Sequence, residues 1–92
     1  MIRSFRDKET EAIFERRRVR RFQQIAEVAL RRLAQIDSAE EIRDLRSPPA
    51  NRLETLKGDR AGQYSVRIND QYRVCFRWKD GHAFDVEITD YH

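Results

Sequence analysis

Residues 64–90 read YSVRINDQYRVCFRWKDGHAFDVEITD, and this stretch decides the fold. Three parts of it alternate apolar and polar residues, which is the pattern of β-strands with one buried face and one polar face. The apolar positions are Tyr64, Val66 and Ile68, then Tyr72, Val74, Phe76 and Trp78, and then Phe84, Val86 and Ile88. Short polar loops separate the three parts, so they predict an antiparallel meander with helices packed on its apolar face.

The alternation also predicts how the first two strands pair. Residues directly opposite each other in an antiparallel pair lie on the same face, so apolar side chains must meet apolar ones. A two-residue turn would break this rule, whereas a three-residue loop over residues 69–71 places Val66 opposite Val74. The same register places Arg67 opposite Arg73 on the polar face.

The second hairpin has two candidate turns. Asp80-Gly81 is typical of a two-residue turn, but that turn would set Trp78 against Ala83. A loop over residues 80–82 sets Trp78 against Phe84 instead, so we expect the longer loop. On this register the other pairs are Phe76 with Val86, Val74 with Ile88 and Arg73 with Thr89.

The first half of the chain predicts the helices that cover the sheet. Asp7 is placed as the N-cap of a helix over residues 8–18. Residues 21–36 carry apolar side chains at three- and four-residue spacing, which predicts a longer amphipathic helix. Ser38–Glu41 has the sequence pattern of a capping box, and it predicts a short third helix that ends near residue 45.

The remaining segments complete the predicted fold. Residues 1–5 are interpreted as an opening edge strand, and Pro48-Pro49 ends the helical part. Residues 52–56 predict a further strand, and residues 57–62 a connecting loop with two glycines. The predicted fold class is α+β, with two longer helices and a short third packed on one face of a mainly antiparallel sheet.

Composition sets limits on the class of protein. The chain has 92 residues, of which 39% are hydrophobic and 38% charged. This is enough apolar material for one small core, so we expect a single domain over residues 1–92. Cys75 is the one cysteine, which excludes an intramolecular disulfide and fits a reducing compartment. No apolar stretch approaches the about 18 residues of a membrane span, so we expect a cytoplasmic protein without a membrane partner.

Arginine dominates the positive charge. It supplies sixteen of the nineteen basic residues in a chain of net charge +3. A planar guanidinium suits bidentate contacts with phosphates and stacking on bases, which favours RNA or DNA as a partner. The run Arg16–Arg21 has two interpretations: a solvated helix end, or a patch that faces phosphates or an acidic protein.

The predicted register gathers polar side chains on one face of the sheet. They are Ser65, Arg67, Arg73, Cys75, Arg77, Thr89 and Tyr91. This face is either solvated and internally paired, with Glu87 offsetting the arginines, or a groove for a phosphate backbone with Tyr91 as a stacking platform. Strict alternation sends Asp90 and His92 to the opposite face. The strand therefore breaks near Thr89, which is our prediction, or the two side chains lie beyond the helical layer.

Several motifs together resemble a known family. They are the terminal Asp90-Tyr91-His92, the Leu56-Lys57-Gly58-Asp59-Arg60 loop, the strand start Tyr72-Arg73 and the opening Met1-Ile2-Arg3-Ser4-Phe5. With the length of the chain, they resemble the HigB-type toxins of bacterial toxin–antitoxin pairs, within the RelE superfamily. The resemblance implies a RelE-like fold and cleavage of mRNA in the ribosomal A site. It also implies neutralisation by a cognate helix-turn-helix antitoxin, and no cofactor or metal.

The resemblance also implies roles for particular residues. Asp90 and His92 share the proton transfers, Arg73 and Lys57 stabilise the pentavalent phosphorane, and Tyr91 orients or stacks on a base. Glu54 and Arg67 are expected to contact substrate. Several family members carry a histidine at the position of Glu54, so this chain departs from the pattern there. A non-catalytic inhibitor that binds RNA or the ribosome is the alternative function.

Overall fold

The computed structural model of the chain describes residues 1–90, so the predictions for Tyr91 and His92 lie outside the described residues. Its centre is a four-stranded sheet in which every neighbouring pair is antiparallel. The strands follow one another in chain order across the sheet. They are β1 (Glu54–Thr55), β2 (Gln63–Arg67), β3 (Tyr72–Lys79) and β4 (His82–Asp90). The predicted α+β class is confirmed, although β1 is shorter than the predicted strand over residues 52–56.

The predicted register of β2 and β3 is confirmed. Val66 lies opposite Val74, and Arg67 lies opposite Arg73. The loop that joins the strands is held by the Asn69 side chain, whose Oδ1 accepts from the backbone N–H of Tyr72 at 2.7 Å. An asparagine side chain that bonds its own turn favours such a loop.

The predicted turn between β3 and β4 is wrong. The chain reverses over Asp80 and Gly81, both at positive φ (+53° and +81°), and Trp78 lies opposite Ala83. Farther along, Val74 lies opposite Ile88 as predicted. Both registers coexist because β4 carries one extra residue, Asp85, at φ +53°. This β-bulge buries Ala83 completely and leaves Phe84 only half-buried.

The opening segment of the chain covers the outer edge of β4. Ile2 forms a parallel bridge with Ala83, and Phe5 forms one with Val86. The N–H of Arg3 donates to the Ala83 carbonyl at 2.8 Å. Two isolated bridges thus take the place of the predicted edge strand, and the long strand β4 has neighbours on both sides.

The first helix, α1 (Lys8–Phe14), is shorter than predicted. Asp7 caps it as expected, because its carboxylate accepts from the Thr10 N–H at 3.2 Å. Arg16 lies at φ +63°, which ends the helix well before residue 18. A second contact ties the helix to the sheet: the Ile88 N–H donates to the fully buried Thr10 hydroxyl at 2.9 Å.

The second helix, α2 (Ala26–Ser38), begins later than predicted because a 3₁₀ turn over residues 20–22 precedes it. The capping box expected at Ser38 is wrong. The box is formed instead by Glu41 and Asp44, and it begins a short 3₁₀ helix, Ile42–Arg46, where the third helix was expected. Hydrogen bonds from the Glu40 and Glu41 backbone hold the pKa of Asp44 below its usual value.

The core lies between the two helices and one face of the sheet. Its members include Ala12, Ile13, Phe22, Ala29, Leu33 and Ile36 from the helical layer, and Val66, Val74, Phe76, Val86 and Ile88 from the strands. These are the apolar positions of the predicted alternation and of the predicted helical stripe. Arg67, Arg73 and Glu87 alternate with them and project from the opposite face. Within residues 1–90, no helix is long and apolar enough to cross a membrane.

Candidate active site

The polar face of the sheet has the composition that the register predicted, as far as residue 90. Ser65, Arg73 and Cys75 lie on it, yet all three are buried. The backbone of Arg52 and the side chain of Arg60 reach across the face and cover it. The centre of this face is therefore internally paired among residues 1–90.

Arg73 is the central cation of this face. Its Nε donates to the Ser65 hydroxyl at 2.7 Å, and its Nη2 donates to the Arg52 carbonyl at 2.6 Å. The Glu54 carboxylate lies 3.7 Å from the same Nη2. The Arg73 side chain keeps only 10% of its surface exposed. A guanidinium held at several points has little freedom left to lose when it binds an anion.

Arg67 lies opposite Arg73 but is neutralised separately. Its Nη2 pairs with the Asp70 carboxylate at the end of the hairpin. Its backbone carbonyl accepts from Nε of Arg32 at 2.8 Å, and burial of Arg32 lowers the pKa of that side chain. Asp70 and Glu54 thus form ion pairs with the two opposed arginines, whereas the ion pairs that the structure describes for Glu87 are with Arg60 and Arg6.

Glu87 lies opposite Cys75 and binds cations from two other segments of the chain. Its Oε1 accepts from Nη1 of Arg60 at 2.8 Å, and its Oε2 lies 3.8 Å from Nε of Arg6. Arg60 belongs to the loop that follows β1, and Arg6 belongs to the opening segment. Neither contact could be predicted from the local sequence, because both arginines lie far from Glu87 along the chain. Arg60 is 27 positions away from it.

Glu54 and Lys57 frame the start of the same loop. Glu54 lies on β1 opposite Ser65, and its side chain is 51% exposed beside Arg73. Lys57 is exposed and precedes the 3₁₀ turn Gly58–Arg60. Between them, Leu56 is buried and anchors the chain. The structure therefore brings Glu54 to Arg73 and places Lys57 on the adjoining loop.

Asp90 is the last described residue of β4, and the strand has no bulge at Thr89 or Asp90; the part of the predicted break that falls on Tyr91 and His92 lies outside the described residues. Arg73 pairs with Thr89 and Tyr72 pairs with Asp90 in regular register. Asp90 therefore projects from the helix side of the sheet, opposite to Arg73. It is nevertheless exposed, which agrees with the second alternative as far as Asp90 is concerned; His92 lies outside the described residues. The side chain of Gln71 donates to its carboxylate at 3.0 Å.

A cavity of about 490 Å³ lies next to Gln71 and hence beside Asp90. Arg20, Arg21, Gln23, Gln24, Ile25, Asn69, Gln71 and Tyr72 line it. Guanidinium and carboxamide groups are the side chains that bind phosphates and the polar edges of bases. Sequence reasoning missed this cavity because its two walls come from the turn before α2 and from the β2–β3 loop.

The arginine run Arg16–Arg21 is divided between two places. Arg20 and Arg21 line the cavity beside Asp90, and Arg21 pairs with Glu9 at 3.3 Å. The arginines at positions 16, 17 and 18 border a second cavity of about 340 Å³, between the end of α1 and the start of α2. The arginines of the run therefore line two cavities, so the run is not only a solvated helix end.

Among the described residues, neither a reactive thiol nor a metal-binding cluster adds to this site. Burial raises the pKa of the Cys75 thiol, which keeps it protonated and unreactive at neutral pH. Among residues 1–90, no group of three or more histidine, cysteine or acidic side chains is arranged to hold a metal ion.

Comparisons with known proteins identify relatives of this chain. The family model described as RelE-like toxin of type II toxin-antitoxin system HigB matches residues 3–92. The chain is 39% identical over 90 residues to Toxin HigB-1 of Vibrio cholerae, covering 96% of this chain and 95% of that protein. It is 38% identical over 61 residues to Endoribonuclease HigB of Proteus vulgaris, covering 66% of this chain and 65% of that protein.

Solved structures share the fold at low sequence identity. The chain superposes on a chain in the heterotetrameric YoeB–YefM toxin–antitoxin complex of Staphylococcus aureus with a TM-score of 0.57 and 19% identity, covering 100% of this chain and 98% of that one. It superposes on the YoeB dimer of the same organism with a TM-score of 0.55 and 19% identity, covering 99% and 97%. The family match and the Vibrio relative together show that this chain belongs to the HigB-like toxins of type II toxin–antitoxin systems, within the RelE superfamily.

Proposed function

We propose that this protein is a ribosome-dependent endoribonuclease that inhibits translation by cleaving mRNA in the ribosomal A site. Its membership of the HigB-like toxins supports the proposal, and the Proteus vulgaris relative is named an endoribonuclease. The protein works in the cytoplasm, where its substrate is. The proposal assigns it no cofactor and no metal ion.

The observation that carries this proposal is the fixed guanidinium of Arg73. Ser65 and the Arg52 carbonyl hold it in place before any substrate binds. A cation that needs no rearrangement stabilises the charge of a phosphorane more effectively than a mobile one. Asp90 lies one register position away, at the end of the adjacent strand. Because the two side chains project from opposite faces of the sheet, a phosphate would meet both of them only where the RNA passes around the ends of β3 and β4.

The proposed chemistry is cleavage by the ribose 2′-hydroxyl. The 2′-oxygen loses its proton to a base and attacks the neighbouring phosphorus, and the bond from phosphorus to the 5′-oxygen breaks. An acid gives a proton to the departing 5′-oxygen, so the products are a 2′,3′-cyclic phosphate and a free 5′-hydroxyl. Asp90 and His92 share these two proton transfers. Arg73 and Lys57 stabilise the phosphorane, and Tyr91 orients or stacks on a base.

Glu54 and Arg67 contact the substrate in this proposal, and Glu54 also reduces the net positive charge at Arg73. Its carboxylate lies 3.7 Å from the guanidinium, so it offsets part of the positive charge when no RNA is bound. A carboxylate cannot act as the cationic acid that a protonated histidine provides. The proposal therefore assigns the proton donation to His92 and not to Glu54.

A cognate helix-turn-helix antitoxin is the proposed protein partner. The YoeB chain with the same fold was solved in complex with YefM, which supports an arrangement of this type. If the neighbouring reading frame encodes a small helix-turn-helix protein, its coexpression is expected to restore growth and to yield a stable complex. Failure of such a protein to rescue growth would remove the antitoxin from the proposal but would leave the nuclease intact.

Primer extension on messages that are being translated tests the enzyme directly. The parent chain should produce new 5′ ends inside codons, and only when ribosomes are present. Asp90→Asn should reduce cleavage by about 10²-fold or more, because it removes a proton acceptor and keeps the shape of the side chain. Asp80→Asn, in the turn at the far end of β4, is the matched control and should cleave like the parent. Equal cleavage by the Asp90 variant would refute the role of that carboxylate.

A non-catalytic inhibitor is the second candidate, and Glu54 is the observation that favours it. A carboxylate beside Arg73 competes with an incoming phosphate and replaces a group that other members use. This function predicts translation arrest with intact messages. Full-length primer-extension products from arrested ribosomes would support it over the nuclease.

A further inference from the structure

Glu87 is a carboxylate in an unusual position for an acidic residue. Its side chain is only 18% exposed, although it lies on a β-strand in the middle of the polar face. Nη1 of Arg60 donates to it at 2.8 Å, and Nε of Arg6 lies 3.8 Å from its other oxygen. A carboxylate this far from water needs cationic partners, so the contact with Arg60 is expected to persist in solution.

The loop over residues 57–62 reaches the sheet through the side chain of Arg60. Gly58 and Gly62 both have positive φ, at +63° and +89°, so the loop contains two residues of high backbone freedom. The N–H of Leu56 donates to the Gln63 carbonyl at 2.9 Å and closes the base of the loop. Arg60 is the one loop residue that is not exposed, and its guanidinium reaches over the sheet to Gln63 and Glu87.

Lys57 is coupled to Arg60 through the backbone. The N–H of Arg60 donates to the Lys57 carbonyl at 3.3 Å, so the two residues bracket one 3₁₀ turn. If Arg60 is held on β4, the turn cannot swing away from the sheet, and Lys57 keeps its position at the start of the loop. Without this restraint, the glycines would allow Lys57 to sample many orientations.

We propose that Arg60 and Glu87 are positioning residues that clamp the 57–62 loop to the sheet and thereby hold Lys57 at the reacting phosphate. The clamp acts through Lys57, so neither of its members needs to touch RNA. The catalytic half of this inference, that the clamp positions Lys57 for cleavage, rests on the proposed nuclease function. The structural half, that the clamp holds the loop on the sheet, does not. The inference also assigns a role to the arginine of the Lys57-Gly58-Asp59-Arg60 motif.

Hydrogen exchange and cleavage kinetics on the full chain test the two halves separately. Arg60→Met and Glu87→Gln should speed amide exchange in residues 57–62 by about tenfold or more, because the loop then opens locally. With ribosomes and mRNA, kcat should fall by about 10- to 100-fold and KM should stay within about twofold, because a displaced cation weakens mainly the transition state. Arg60→Lys keeps a cation and should recover most of both effects.

The matched control is the pair formed by Arg43 and Glu41. Its Nη2 to Oε2 distance is also 2.8 Å, but both side chains are largely exposed, at 73% and 61%. Arg43→Met should leave exchange in the 57–62 loop, kcat and KM unchanged. Thermal unfolding of all variants would separate a general loss of stability from a local opening of the loop.

Two results would overturn the proposal. Parent-like exchange in Arg60→Met would show that the clamp does not hold the loop. Faster exchange with unchanged kcat would show that the loop position does not matter for the reaction. If the parent chain cleaves no RNA at all, the proposed function fails, and the catalytic half of the inference fails with it. The exchange data alone then decide whether the clamp exists.

Discussion

Nε of Arg73 donates a hydrogen bond to the hydroxyl of Ser65 at 2.7 Å, and Ser65 is completely buried. The two residues lie on adjacent strands, displaced along the pair, so the side chains meet diagonally across the polar face. This contact therefore couples the stability of the fold to the proposed function of Arg73. The same guanidinium that is proposed to meet a phosphate also satisfies a buried hydroxyl and the carbonyl of Arg52.

Removal of the Arg73 guanidinium should therefore destabilise the fold as well as abolish cleavage. In Arg73→Met, the Ser65 hydroxyl and the Arg52 carbonyl lose their donor, which costs about 1 to 3 kcal/mol in the free energy of unfolding. Urea denaturation would measure this loss. Arg31→Met is the control, because Arg31 is 56% exposed and should change stability by less than about 0.5 kcal/mol. A stable, inactive Arg73→Met variant would show that the buried contacts contribute little.

The contact between Thr10 and Ile88 predicts a second loss of stability. Thr10→Val keeps the side-chain shape but removes the acceptor for the buried Ile88 N–H, so we expect a loss of about 1 to 3 kcal/mol. Faster hydrogen exchange at the Ile88 amide should accompany it. Thr55→Val, on the exposed strand β1, should have almost no effect. Unchanged exchange at Ile88 would contradict the contact.

The bulge at Asp85 predicts an order of stability among substitutions there. Its φ of +53° is tolerated by asparagine and glycine, but a β-branched side chain clashes in this region. Asp85→Asn should resemble the parent, and Asp85→Val should lose about 1 to 2 kcal/mol. Urea denaturation of the two variants tests the order. Equal stability would mean that residue 85 does not adopt the left-handed conformation.

The buried thiol of Cys75 predicts a pH dependence of stability. Burial raises the pKa of the thiol in the folded chain, so the unfolded chain loses its proton first as the pH rises. Stability from this group is intact below the unfolded pKa of about 8.5 and declines above it. The free energy of unfolding of the parent should fall more steeply above that pH than that of Cys75→Ala. Parallel profiles would argue that the thiol is accessible to water.

Much of the sheet was predictable because side chains alternate with a period of two. That period assigned Arg67, Arg73 and Thr89 to one face and paired them correctly. The alternation gave the wrong register at the second hairpin, because the turn and the strand pairing beyond it require loops that differ in length by one residue. Asp80-Gly81 favours a tight turn, whereas the pair Val74 and Ile88 needs one residue more, and alternation alone has no way to accommodate both.

The candidate site was predictable only in part, for a related reason. Glu54, Lys57, Arg67, Arg73 and Asp90 could be named from motifs, and the structure places the first four around the polar face and the β1–β2 loop. The partners that hold them could not be named. Ser65, the Arg52 carbonyl, Gln71 and the Arg60–Glu87 pair all act across gaps in the sequence.

The sequence by itself determined the fold class, the faces of the sheet, the pairing around Arg73 and the family. These follow from local periodicity and from short motifs, which do not depend on distant contacts. Only the tertiary structure decided where the register shifts, which side of the sheet carries Asp90, and what holds Arg73 and the 57–62 loop. Those features arise where segments far apart in the chain compete for the same space and the same hydrogen bonds, so no single stretch of sequence contains them.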